Sequence, residues 1–206
     1  MEQIKHNLKI LLLGITGVGK SSLGNFLLGN KDLFKVYDIP YAETTKQIQK
    51  NERNGLTIID TPDFFSLEEK QKDLENLIYY IKSLGELNGI IIVMNSRENR
   101  ISEDIQTMLK MICNTFEYRY FNNISFVFTR FCGKRRELEK IRKNKEEFVM
   151  QAKELIKKFY GKNELPGTLP YFFINSDLDE PDYDSLRARE EILHWISCLK
   201  PLHIFK

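Results

Sequence analysis

Residues 14–21 read GITGVGKS, which puts Gly14, Gly19, Lys20 and Ser21 at the spacing G-x-x-x-x-G-K-[ST]. These residue types at these distances suit the holding of a polyphosphate. Glycines let the backbone curl into a nest, so that amides from Thr16, Gly17, Val18, Gly19, Lys20, Ser21 and Ser22 converge on phosphate oxygens, reinforced by the start of a helix. The Lys20 ammonium neutralises the outer phosphates, and the Ser21 hydroxyl is placed to ligate Mg²⁺.

A metal site of that kind needs a carboxylate from a second strand. LTIID, four largely apolar residues ending in Asp60 and followed by Thr61-Pro62, has the form of a buried strand that presents one. Between the two motifs lies KDLFKVYDIPYAETTKQ, long enough to order on a terminal phosphate, with Thr44 or Thr45 as its metal-sensing hydroxyl. The metal ligands expected are therefore Ser21, Asp60 and one of these threonines.

Five short apolar runs carry these motifs: KILLL (9–13), LTIID (56–60), GIIIVMN (89–95), ISFVFT (124–129) and YFFIN (171–175). Most lack polar alternation, the pattern of strands covered on both faces in a parallel sheet. Helical periodicity separates them, as in Ile105, Met108, Leu109 and Ile112, then Leu155, Ile156 and Phe159, then Ile192, Leu193 and Ile196. Trp195 falls within the last group and is read as core. Ser66 and Glu69 form a capping box, Gly85 and Gly161 sit where helices end, and Asn54-Gly55 favours a hairpin that adds TTKQIQK as one antiparallel edge strand. The expected fold is α/β, a mostly parallel central sheet with one antiparallel edge and helices on both faces, in a single domain over residues 1–206.

Composition sets the outer limits. Hydrophobic residues make up 42% and charged residues 29%, ordinary values for a folded domain, and a net charge of +2 gives no reason to expect nucleic acid. Cys113, Cys132 and Cys198 have no metal-type spacing and are expected as reduced thiols. The start MEQIKHNLK lacks a secretory apolar region, the end lacks a prenylation motif, and no run approaches the roughly 20 apolar residues of a membrane span. A cytoplasmic protein is expected, with peripheral membrane contact left open.

GITGVGKSSLGNFLLG, then TTK, IIDTPDFFS, the box GIIIVMNSRENRISEDIQTMLKMICNTF and FVFTR together resemble the immune-associated nucleotide-binding (AIG-type, GIMAP) GTPases over about residues 7–198. Septin-like and chloroplast-import GTPases are next nearest. The resemblance implies a P-loop GTPase (G domain) that binds GTP and GDP with Mg²⁺, hydrolyses slowly, and self-associates as a GTP-dependent homodimer through its nucleotide face. It also favours Thr45 over Thr44, and places Thr129 and Arg130 at the edge of the base.

Several residues depart from a generic GTPase. Asp63 stands where glycine is common; its carboxylate must turn from the phosphates, since a like charge at ~5 Å costs about 3 kcal/mol at an effective dielectric near 20. Phe64 occupies the place of the glutamine that Ras-like proteins use to orient water, so intrinsic hydrolysis is expected to be slow. The Phe64-Phe65 pair reads either as core or as interface. Lys20 and Thr45 are the remaining candidates for transition-state support.

Guanine is usually chosen by a carboxylate, and FTRFCGK offers Cys132 there, a poor acceptor. Arg130 could stack on the base; INSD supplies Asn175 and Ser176 as the second base loop, with Asp177 either a substitute carboxylate or a residue of a solvated turn. Arg130 to Lys145 holds eight basic residues against Glu137 and Glu139, either a solvated helix face or a contact for anionic lipid or an acidic protein. Two functions fit: a regulated GTPase, or a GTP-dependent dimerising scaffold with negligible hydrolysis.

Overall fold

A computed structural model describes residues 8–36, 47–62 and 70–203. In chain order the elements are β1 (Leu8–Leu13), α1 (Lys20–Leu28), β2 (Gln49–Arg53), β3 (Leu56–Asp60), α2 (Lys70–Ser83), β4 (Glu86–Leu87), β5 (Gly89–Asn95), α3 (Glu103–Thr115), β6 (Ile124–Thr129), α4 (Arg135–Tyr160), β7 (Tyr171–Phe173), α5 (Tyr183–Ser197) and β8 (Leu202–His203). A short 3₁₀ segment, Tyr118–Asn123, leads into β6.

The main sheet has six strands in the order β2-β3-β1-β5-β6-β7. Five run parallel and β2 is antiparallel to β3. Every residue of β3 and β6 is buried, which explains why those strands read as continuous apolar runs. Both faces of the sheet are covered. Leu8, Ile10 and Leu12 of β1 pack under α1 and α5, whereas Leu11 and Leu13 face the core shared with α2, α3 and α4. The parallel strands all end on one side, so their following loops converge there, the usual place for a ligand crevice in open α/β sheets.

Local signals explain the element ends. The Ser102 side chain accepts from the Ile105 amide to start α3, and Ile105, Met108, Leu109 and Ile112 are all buried. Asn54 and Gly55 both have positive φ, 53° and 77°, as the tight hairpin turn requires.

Three boundaries differ from the sequence expectation. The edge strand is QKNER rather than TTKQIQK, because the Asn54-Gly55 turn fixes the pairing of Arg53 with Leu56 and carries it back to Gln49 opposite Asp60. β7 stops at Phe173 rather than Asn175: the Ile174 amide makes its bond to Phe128, and the Asn175 amide then leaves the ladder for the Ser185 hydroxyl on α5. β4 and β8 form a separate two-stranded pair; at two residues each they carry no periodicity to read. The capping box at Ser66 and Glu69 lies outside the described residues.

Candidate functional site

The turn after β1 is built around backbone proximity. A Cβ on Gly14 would lie 2.5 Å from the Val93 carbonyl, so only glycine lets the loop pass the end of β5. Gly17 and Gly19 have φ of 76° and 93°, and Gly19 ends the turn as the N-cap of α1. Among the described residues no side chain caps that helix, and its first turn carries no acid. Its leading amides, Lys20 to Ser22, therefore have no intrahelical acceptor. The buried Lys20 ammonium donates to the carbonyls of Gly14 at 2.7 Å and Ile15 at 3.1 Å, holding a positive charge against the loop. Thr16 and Gly17 are exposed and Val18 is buried.

Asp60 ends β3 next to this loop. Its Oδ2 accepts from the Ser21 hydroxyl at 2.6 Å. Its Oδ1 is buried with no hydrogen-bond partner among the described residues. A buried carboxylate oxygen left in that state is unfavourable unless a cation meets it. Burial pushes the Asp60 carboxyl above its ordinary range, while the Ser21 hydrogen bond and the Lys20 charge oppose the rise. A hydroxyl and a carboxylate converging beside an anion nest fit the hard oxygen ligation that Mg²⁺ takes, and the Thr61 hydroxyl, donating to the Leu12 carbonyl at 2.8 Å, fixes the chain just beyond them.

The loop after β6 is tied to the glycine loop. Thr129, fully buried at the end of β6, donates to the carbonyls of Val18 and Met94. Arg130, at φ 54°, donates from its guanidinium to the Gly17 carbonyl at 2.8 Å, which ties the loop after β6 to the glycine loop. Cys132 is exposed. On the last loop the Asn175 amide donates to the Ser185 hydroxyl at 2.8 Å, and Ser176 is half-buried beside it. Asp177 is exposed, and its Oδ1 accepts from the amides of Asp179 and Glu180, so this oxygen serves the turn.

Thr44, Thr45, Asp63, Phe64 and Phe65 lie outside the described residues. Trp195 is half-buried, its ring 6.3 Å from that of Phe172. One residue of the basic run is corrected: Lys145 is completely buried, because it falls on the inward side of α4 with Ile141, Phe148 and Val149.

Two residues at this site went unread in the sequence. The Ser96 amide donates to the Thr129 carbonyl at 2.9 Å and its hydroxyl to the Arg130 carbonyl at 3.0 Å. Arg97 pairs with Glu137 at 2.9 Å. Both follow a strand in a stretch with no periodicity, so only the parallel pairing of β5 with β6 brings them to the base loop.

The model of the AIG1 family matches residues 8–162. The chain belongs to that family. It is 28% identical over 131 residues to mouse GTPase IMAP family member 8, covering 61% of this chain and 19% of that protein. It is 24% identical over 220 residues to Immune-associated nucleotide-binding protein 10 of Arabidopsis thaliana, covering 89% of this chain and 47% of that one. This AIG1-family chain thus spans less than half the length of either relative. Its fold matches Toc33 of Arabidopsis thaliana, solved with GDP and Mg²⁺, at a TM-score of 0.71 and 19% identity over 99% of this chain and 90% of that one. A further Toc33 structure, TM-score 0.73 at 17% identity over 98% of this chain and 89% of that one, is described as showing that dimerisation is important for the GTPase activity of the chloroplast translocon components Toc33 and Toc159.

Proposed function

We propose that this chain is a guanine-nucleotide switch: a single G domain that binds GTP and GDP with Mg²⁺, hydrolyses GTP slowly, and self-associates through its nucleotide face. The observation that carries the reading is the Ser21–Asp60 pair, with the second Asp60 oxygen buried and, among the described residues, unpartnered beside the glycine loop. The nucleotide residues proposed are Gly14 and Thr16 to Ser22 for the phosphates, Thr45 for the terminal phosphate, and Thr129, Arg130, Asn175 and Ser176 on the base side. Ser21, Asp60 and Thr45 would hold Mg²⁺, which supplies charge neutralisation between the outer phosphates. Slow hydrolysis rests on Phe64 in place of a water-orienting glutamine.

Family membership supports guanine as the base, and the dimerisation described for Toc33 supports self-association. Lys134, Arg135, Arg136, Lys140 and Lys143 are exposed at the start of α4 and leave that surface available for an anionic membrane or an acidic protein.

Mass spectrometry of the nucleotide that copurifies with the protein tests the reading. GDP or GTP is expected with the native chain and neither with Lys20→Ala. A native chain that carries no nucleotide and takes up no labelled GDP in Mg²⁺ buffer would falsify it.

A further inference from the structure

Lys145 lies on the inward side of α4 and is 0% exposed, an unusual position for an ammonium group. Two rings line it, Phe128 of β6 at 5.3 Å and Phe148 of α4 at 5.5 Å from their centroids. Its direct hydrogen bond runs out of that aromatic pocket to the Asn99 side-chain oxygen, 3.1 Å away in the β5–α3 loop. The neighbouring Glu98 carboxylate favours the charged form. A cation between ring faces with one amide acceptor is a directional anchor, since the alternative for each group is an unpaired charge or a loose loop.

The segment it anchors borders both halves of the site described above. Asn95 and Glu98 line a narrow crevice with Gly14, Ile15 and Val18 of the phosphate loop. Ser96 holds the backbone of Thr129 and Arg130. Arg97 reaches the Cys132 carbonyl at 3.5 Å while paired with Glu137. Asn99 is exposed and touches neither loop through any of these bonds, so its bond to Lys145 fixes the far end of a strap that crosses the crevice.

We propose that Lys145 is a positioning residue for the nucleotide site, its buried ammonium pinning the β5–α3 strap through Asn99 and so slowing release of bound nucleotide. The inference rests on the nucleotide-binding reading and adds to it a residue that touches no ligand.

Release of a fluorescent GDP analogue from the intact chain in Mg²⁺ buffer tests it, with Lys145→Met, Asn99→Leu, Asn99→Asp and the double variant Lys145→Met/Asn99→Leu. Loss of either partner is expected to speed release about five- to ten-fold, while Asn99→Asp, which keeps an acceptor, restores native release. The double variant is expected to match Lys145→Met alone, because both changes cut one contact. Folded single variants with native release, or effects that simply multiply in the double variant, overturn the pin. Should Lys145→Met fail to fold, the two Asn99 variants decide the matter, since that side chain is on the surface.

A native chain that does not bind the analogue overturns the nucleotide reading instead. Hydrogen–deuterium exchange of residues 95–101 in the ligand-free chain then reads the pin directly. Faster exchange in Asn99→Leu but not in Asn99→Asp supports the anchor, and equal exchange in both overturns it.

Discussion

The Arg130 guanidinium meets the Gly17 carbonyl at 2.8 Å and joins two loops that are 113 residues apart in the chain. Gly17 needs its left-handed conformation to aim the amides that follow, so the arginine braces the backbone at the point where the nest turns. Arg130→Ala is expected to weaken GDP binding about ten-fold, in line with the loss of a charged hydrogen bond, and Arg130→Lys to fall between. Titration with a fluorescent GDP analogue checks this, and equal affinities for all three proteins would refute the brace.

Asp60 sets stability against binding. Its carboxyl is raised by burial, so the folded chain holds that proton more tightly than the unfolded chain does. The stabilisation linked to this proton is present at low pH and fades as pH rises through the raised value. Asp60→Asn is therefore expected to melt higher than the native chain at pH 7 in EDTA, and to lose the added stability that GDP with Mg²⁺ confers. Differential scanning fluorimetry with and without Mg²⁺ separates the two effects.

The glycine loop and its neighbouring carboxylate were legible because their signals are local: Gly14, Gly19, Lys20 and Ser21 lie within eight positions, and the run ending in Asp60 announces its own strand. β5 and β6 were legible for the same reason, since burial on both faces leaves an uninterrupted apolar run. The contacts of the loops after β5, β6 and β7 were not. The hold of Arg130 on Gly17, of Ser96 on residues 129 and 130, and of Ser185 on Asn175 exists only after parallel pairing brings distant loops together. Lys145 misled for a related reason. In a run of eight basic residues its inward placement depends on the phase of α4, which the charges themselves obscure.

Thr129 offers a test of the buried wall between the two loops. Its hydroxyl faces the carbonyls of Val18 and Met94, and a Cβ on Gly19 would come within 3.5 Å of it. Thr129→Val keeps the shape and removes the donor, leaving buried acceptors short of a partner at a cost of about 1–3 kcal/mol. Thr129→Ser keeps the hydroxyl and is expected to lose less than about half of that, mainly the packing of one methyl. Urea unfolding of the ligand-free variants measures both; a larger loss in Thr129→Ser than in Thr129→Val would mean that packing, not the hydrogen bond, matters at this wall.

Lys145 carries the clearest pH signature. Burial lowers its ammonium from 10.5 to about 8, against the pull of the Glu98 carboxylate. Below about pH 8 both folded and unfolded chains keep the proton, and the folded chain bears the full cost of a desolvated charge. Between about pH 8 and 10.5 the unfolded chain binds more protons, so stability contributed at this position rises with pH. Lys145→Met removes the titration while filling the same space between Phe128 and Phe148. The stability difference, native minus variant, is accordingly expected to shift toward the native chain as pH rises from about 7 to 10, by roughly 3 kcal/mol at most given 1.36 kcal/mol per pKa unit. Chemical denaturation of both proteins at several pH values in that window measures the shift; a difference that stays flat would show that this ammonium titrates as it does in water.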